Sequence, residues 1–154
     1  MFSTNLESWF SNAGLIAMIG WMILIFGPRR WPLLSAFPAY VIPAILSLGY
    51  AILILRHFGI AQGGFTTLAD VALLFSNDHL LLAGWVHYLA FDLFIGAWIA
   101  RQSDDVGISR VVQATILVTT FMLGPFGLLL FLIVCQARNL LLDIHYPMTQ
   151  GALR

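Results

Sequence analysis

Four long apolar runs, at residues 9–26, 33–55, 80–100 and 111–134, leave this chain few ways to fold. A spanning helix needs about 20 mostly apolar residues, and a helix satisfies its own backbone N–H and C=O groups where no water can. Each run stops at a break or a rise in polarity. The first closes at Gly27-Pro28-Arg29-Arg30, the second at Arg56-His57, and the third at Arg101 and the polar residues 102–105. The fourth gives way to Gln136, Arg138 and Asn139. The expected architecture is all-α: one integral membrane domain, residues 1–154, built as a bundle of four transmembrane helices.

Composition removes the alternatives. The chain is 60% hydrophobic and 9% charged, with seven arginines, no lysine and seven acidic residues. Ordinary soluble domains carry about 25% charged residues. This chain cannot furnish the polar shell of a soluble enzyme, and it is too apolar for a disordered tail. A net charge of zero gives no attraction for polyanions, so nucleic acid is not an expected partner. The single Cys135 excludes a disulfide framework and a cysteine-rich metal site. No basic segment precedes the first run, where Glu7 is the only charge, so that run reads as a retained helix rather than a cleaved signal.

Arginines flanking membrane helices favour the cytoplasmic side. Arg29, Arg30, Arg101 and Arg110 lie in the first and third loops, against Arg56, Arg138 and Arg154 elsewhere. That bias of one residue favours both termini on the far side. The second loop has its own organisation. Thr67 and Asp70 have the spacing of a capping box, and Phe65, Leu68, Val71, Ala72 and Phe75 recur at helical intervals. A short amphipathic helix at 67–75, lying at the membrane surface, is expected, with a plain connector as the competing reading. The tail, 136–154, extends the last helix before Pro147 and Gly151 end it.

Polar residues at depth are the informative ones in a bilayer. The third run contains His87 and Asp92 close to its midpoint. An Asp at mid-bilayer costs about 2.5–3.5 kcal/mol on insertion scales and faces the bundle interior or a cavity. Five residues apart, His87 and Asp92 are separated by about 140° around the helix and about 7.5 Å along it. They do not form an ordinary intrahelical pair, though they can line adjoining walls of one cavity. Tyr88 lies four residues before Asp92 and shares its face, which permits a phenol–carboxyl contact. In its protonated form, a carboxyl among apolar groups can serve as a general acid. The competing reading is helix glue, with Tyr40, Tyr50, Thr115, Thr119 and Thr120 as hydrogen-bonding partners on neighbouring helices. Trp85, Tyr88, Phe91, Phe94 and Trp98 surround the pair with aromatic surface.

Pro38 and Pro43 interrupt the second run, and Gly124-Pro125-Phe126-Gly127 interrupts the fourth. Each proline frees a carbonyl one turn earlier. Such a region can open towards a pocket, or it can be the ordinary tolerance of membrane helices for Pro and Gly. The cofactor stays open. Haem would rest on His87, with His57, His79 and His145 near the interfaces, and no Cys-x-x-Cys-His attaches it covalently. The spacing of His and Asp in the third run gives no ligand pair for a metal, and none is expected. Asn77 or Asp78 is expected to cap the third helix.

Trp85-Val86-His87-Tyr88-Leu89-Ala90-Phe91-Asp92-Leu93-Phe94 resembles the signature of the abscisic-acid-deficient-four-like family of small membrane proteins. Gly124-Pro125-Phe126-Gly127-Leu128-Leu129 resembles its second landmark. Plant members of that family act in plastids, where neoxanthin is formed from violaxanthin by opening an epoxide and forming an allene. The resemblance implies Trp85, His87, Asp92, Gly124 and Pro125 as important positions. No transit peptide is visible, which suits a bacterial inner membrane and argues against carrying over the plant substrate.

The resulting reading is a membrane protein that binds or converts a carotenoid or related isoprenoid lipid in an aromatic cavity beside the third helix. Trp85, Tyr88, Phe91, Gly124 and Pro125 are its candidate ligand-binding residues. In the enzymatic version, an epoxide-opening isomerase, Asp92 donates a proton to a ligand oxygen and His87 removes or relays one. The rivals are a non-enzymatic assembly or binding subunit of a larger membrane complex and a small proton-coupled transporter using Asp92. Expected partners are membrane lipid, the apolar ligand, and either a second copy or that larger complex.

Overall fold

The structure is a computed structural model that describes residues 4–28 and 30–145, with side chains for 5–28 and 30–140. Arg29 and the end of the tail, with Pro147, Gly151 and Arg154, lie outside the described residues. The fold is all-helical: α1 (Thr4–Phe26), α2 (Pro32–Ala36), a π turn (Phe37–Val41), α3 (Ile42–His57), α4 (Leu68–Leu74), α5 (Asp78–Asp105), α6 (Arg110–Leu123) and α7 (Pro125–His145). Among the described residues, three helical segments are long and apolar enough to cross a membrane: Asn5–Phe26, Pro32–Ile60 and Asp78–Asp105. The chain divides into two compact units, Met1–Trp98 and Ile99–Arg154, with α5 running from one into the other.

In the first unit α1 and α5 run in the same direction. Phe10 meets Trp85 with ring centroids 5.4 Å apart, and further along a Cβ on Gly20 would stand 2.6 Å from Leu93. Gly96, further still, lies under the indole of Trp21. The α3 helix runs the opposite way, placing Tyr50 by His87 and His57 by His79. Ala83, Val86, Ala90, Leu93 and Ala97 recur three or four apart along α5 and are all buried. Small residues in such a seam let helix backbones approach closely, which is how membrane helices gain packing energy. The second run is not a plain α-helix. Around Pro38 and Pro43 it widens into the π turn, which absorbs the backbone bonds that proline cannot make.

The loop between α3 and α5 is folded on itself. Thr67 Oγ1 accepts from the Asp70 N–H and Asp70 Oδ2 accepts from the Thr67 N–H, each at 3.1 Å, so the capping box is complete. Gly63 adopts φ +95°, and its backbone lies so close to α4 that a Cβ would stand 2.6 Å from the Leu74 nitrogen. The buried residue of this helix is Leu74, whereas Leu68 is 86% exposed and Phe65 is exposed too. The apolar stripe through Phe65 and Leu68 therefore faces outward, with Leu74 on the buried side. Asn77 Oδ1 then accepts from the N–H groups of His79 at 3.0 Å and Leu80 at 3.3 Å, capping α5.

The second unit corrects the fourth expected helix. Residues 111–134 are not one spanning helix; they are divided between α6 and α7. Gly124 takes φ 39° and ψ −97°, outside any helix, and Pro125 opens α7, the position where its missing N–H costs nothing. With 14 residues, α6 is about 21 Å long, short of an about 30 Å hydrocarbon core. After the corner α7 returns along α6. Gly127 sits against the Thr120 backbone near the turn, and at the far end Arg138 Nη1 donates to the Gly107 carbonyl at 2.9 Å.

Gln113 holds the approach to this hairpin. It is buried, and its Nε2 donates to Asp104 Oδ1 at 2.7 Å and to the Ile108 carbonyl at 3.0 Å. Arg110 Nη1 adds an ion pair to the same Asp104 oxygen at 3.9 Å. Gln113→Leu leaves the Ile108 carbonyl bare, and we expect a loss of about 1–3 kcal/mol, the cost of an unmet buried polar group. Reversible unfolding in mixed micelles measures it. An unchanged midpoint would show that Gln113 contributes only packing.

Candidate functional site

The α5 helix carries most of the candidate residues, and different faces of it have different neighbours. On the face towards α1, a cleft of about 610 Å³ is bounded by Leu6, Phe10, Phe75, Leu81, Gly84, Trp85 and Tyr88. The rings of Phe10, Trp85 and Tyr88 follow one another at 5.4 and 5.5 Å, forming an aromatic ladder along one wall. Phe75, at the end of α4, closes the side over Gly84, where a Cβ would stand 2.6 Å from its ring. Glu7 and Asp78 stand at the outer end of the cleft, each in the first turn of its helix, where a carboxylate suits the helix dipole. The interior is otherwise apolar, and its size falls in the about 300–1,000 Å³ range of small-molecule sites.

Tyr88 ends the cleft along α5 and hydrogen-bonds the Asp92 carboxyl one turn further on. Asp92 Oδ2 is buried and has no hydrogen-bond partner. His87 goes elsewhere. Its ring lies 5.4 Å from Tyr50 and 4.5 Å from Phe91, it is exposed, and Phe91 is 57% exposed. The structure therefore joins Trp85, Tyr88 and Asp92 in one group and leaves His87 and Phe91 in another. The 140° between His87 and Asp92 is resolved by different neighbours rather than by a shared wall. Gly124 and Pro125 belong to the second unit, where they make the corner of the hairpin.

Of the expected helix-glue partners, Tyr50 does meet His87. Thr115, Thr119 and Thr120 donate instead to carbonyls four residues back in their own helix, at 3.1, 2.8 and 2.8 Å. Phe10, Phe75 and Gly84 are among the cleft residues that sequence reasoning missed. Gly84 adjoins the recognised Trp85 motif, but Phe10 and Phe75 enter only through helix pairing and the folded loop, which no local pattern records. Among the described residues no group of three His, Cys, Asp or Glu gathers as a metal site.

A second and smaller cavity, of about 220 Å³, lies between α1 and α3 beside Val86, with Asn12 among its lining residues. It shares no residue with the aromatic cleft. The arrangement as a whole is that of an all-helical protein with membrane-type helices and an apolar cleft at its third long helix. The family described as ABA DEFICIENT 4-like matches over residues 8–131, and the chain belongs to that family. The match takes in both the third-helix motif and the Gly124-Pro125 corner. No curated protein and no solved structure matches the chain.

Proposed function

We infer that this protein binds a carotenoid or related isoprenoid lipid in the cleft between α1 and α5, within a bacterial inner membrane. The observation that carries this reading is the aromatic ladder of Phe10, Trp85 and Tyr88 in an otherwise apolar cleft, on the helix bearing the family signature. A rigid polyene offers few hydrogen bonds and much surface to bury, which such walls suit. The lined stretch of α5, from Asp78 to Tyr88, is about 15 Å long, so it receives one end of a membrane-length polyene rather than the whole.

In the enzymatic form of the reading the protein is an epoxide-opening isomerase, and the Asp92 carboxyl, which does not itself bound the cleft, supplies the acid through the Tyr88 hydroxyl. His87, packed on Tyr50 and Phe91, is not a second group on the same ligand, so the proton lost from the polyene carbon returns to the Tyr88–Asp92 pair that gave one to the oxygen. Asp92→Asn keeps the shape and removes the acid. Full turnover of a verified substrate by that variant, together with co-purification of a larger complex, moves the function to a binding or assembly subunit.

The deciding measurement is the absorption spectrum of detergent-purified protein from a carotenoid-producing host and from one lacking carotenoids. Structured polyene bands from the first host alone are expected. Gly84→Leu should abolish them, because its side chain fills the cleft and displaces Phe75. Colourless protein from both hosts would overturn the reading, and a Soret band from both would redirect attention to His87 as a haem ligand.

A further inference from the structure

Three observations separate the two polar residues of this site. Tyr88 bounds the cleft, whereas Asp92 is not among the residues that bound it. The two side chains are hydrogen-bonded to each other. Glu7 and Asp78 stand at the opposite end of the lined stretch, in the first turns of their helices. Tyr88 thus stands at the end of the lined stretch of α5 away from Glu7 and Asp78, and its side chain is tied to the carboxyl of Asp92, which does not bound the cleft.

We propose that Tyr88, not Asp92, is the group that meets a polar atom of the ligand, and that Asp92 is a positioning residue acting through it. This rests on the reading of the cleft as an isoprenoid site. A phenol has one proton and two lone pairs, so the bond to Asp92 leaves it further hydrogen-bonding capacity. A lone tyrosine in an apolar wall rotates about its ring bonds, whereas one held by a carboxyl one turn on presents its oxygen in one place. The Trp85 ring, 5.5 Å from that of Tyr88 between centroids, packs against the phenol from the other side, so the ring is held by both neighbours. The pair selects an isoprenoid carrying an oxygen at the end that enters the cleft. The aromatic ladder by itself accepts a hydrocarbon equally well.

The test uses the full chain in detergent and two fluorescent polyenes, all-trans-retinol, which carries one oxygen, and 1,6-diphenylhexatriene, which carries none. Binding is read by energy transfer from tryptophan, with Trp85→Phe as the control for the site. Tyr88→Phe should weaken retinol about tenfold, the scale of one ligand hydrogen bond, and leave diphenylhexatriene unchanged. Asp92→Leu should weaken retinol similarly, Asp92→Asn should restore most of the affinity, and the Tyr88→Phe/Asp92→Leu double should be no worse than either single. Equal weakening of both probes by Tyr88→Phe overturns the proposal, because the ring then acts by packing alone. So does an unaltered retinol affinity in Tyr88→Phe alongside a loss in Asp92→Asn, because the carboxyl then meets the ligand itself. Failure of the unsubstituted chain to bind either probe overturns the underlying reading of the cleft, a result distinct from both.

Discussion

Gly127→Val should open the α6–α7 hairpin. The α carbon of Gly127 faces the backbone of Thr120, and an added Cβ would run into its nitrogen and Cα. Backbone in a helix cannot step aside as a flexible side chain does. Overpacking by a single methyl costs about 1–3 kcal/mol where neighbours can relax, and a branched side chain against fixed backbone exceeds that. The consequence is legible at the far end of the hairpin, where Arg138 donates to the Gly107 carbonyl. Tryptic cleavage after Arg138 should therefore speed up markedly in the valine variant and moderately in Gly127→Ala. Equal cleavage in all three chains would show that α7 does not depend on this contact to lie along α6.

Gly96→Ala should destabilise the first unit through Trp21. The indole occupies the space of the missing Cβ and is 2% exposed, so it has no free volume into which to swing. A loss of about 1–3 kcal/mol is expected, and Gly96→Leu should prevent recovery of folded protein. The origin of the effect can be isolated by a second change. Trp21→Leu alone costs stability by leaving a cavity, but combined with Gly96→Ala it should cost less than the sum, because the smaller side chain accommodates the new methyl. Thermal unfolding midpoints in one detergent provide the comparison. Additive losses would mean that the two positions do not share the contact.

The hairpin corner and the capping box illustrate why local pattern and tertiary structure carry different information. Gly124 with Pro125 announces an interruption from sequence, because one residue is free of Cβ sterics and the other has no N–H. The pair does not say whether the helix kinks and continues or reverses. Reversal was decided by the contact of Gly127 with Thr120 and the clasp of Arg138 on Gly107, residues 31 apart in the chain. The capping box at Thr67 was likewise readable, since its two bonds lie within four residues. Which side of that helix turns inward was not, because Leu74 is buried by the fold of the loop around Gly63.

By itself the sequence determined that the chain is helical and suited to a membrane, since long apolar runs with almost no charge and no apolar–polar alternation satisfy their backbone in lipid as helices rather than as barrel strands. It also determined that Tyr88 and Asp92 share a helical face, which follows from 3.6 residues per turn. Only the tertiary structure decided what each face meets. It put Phe10 and Phe75 opposite Trp85 to make a cleft, and it turned His87 to Tyr50 and Phe91. The physical reason is that helical periodicity fixes angles within one helix, whereas a site is made by side chains from several. Their meeting depends on small-residue seams such as Ala83, Ala90 and Ala97, whose partners are chosen by close packing across the whole unit.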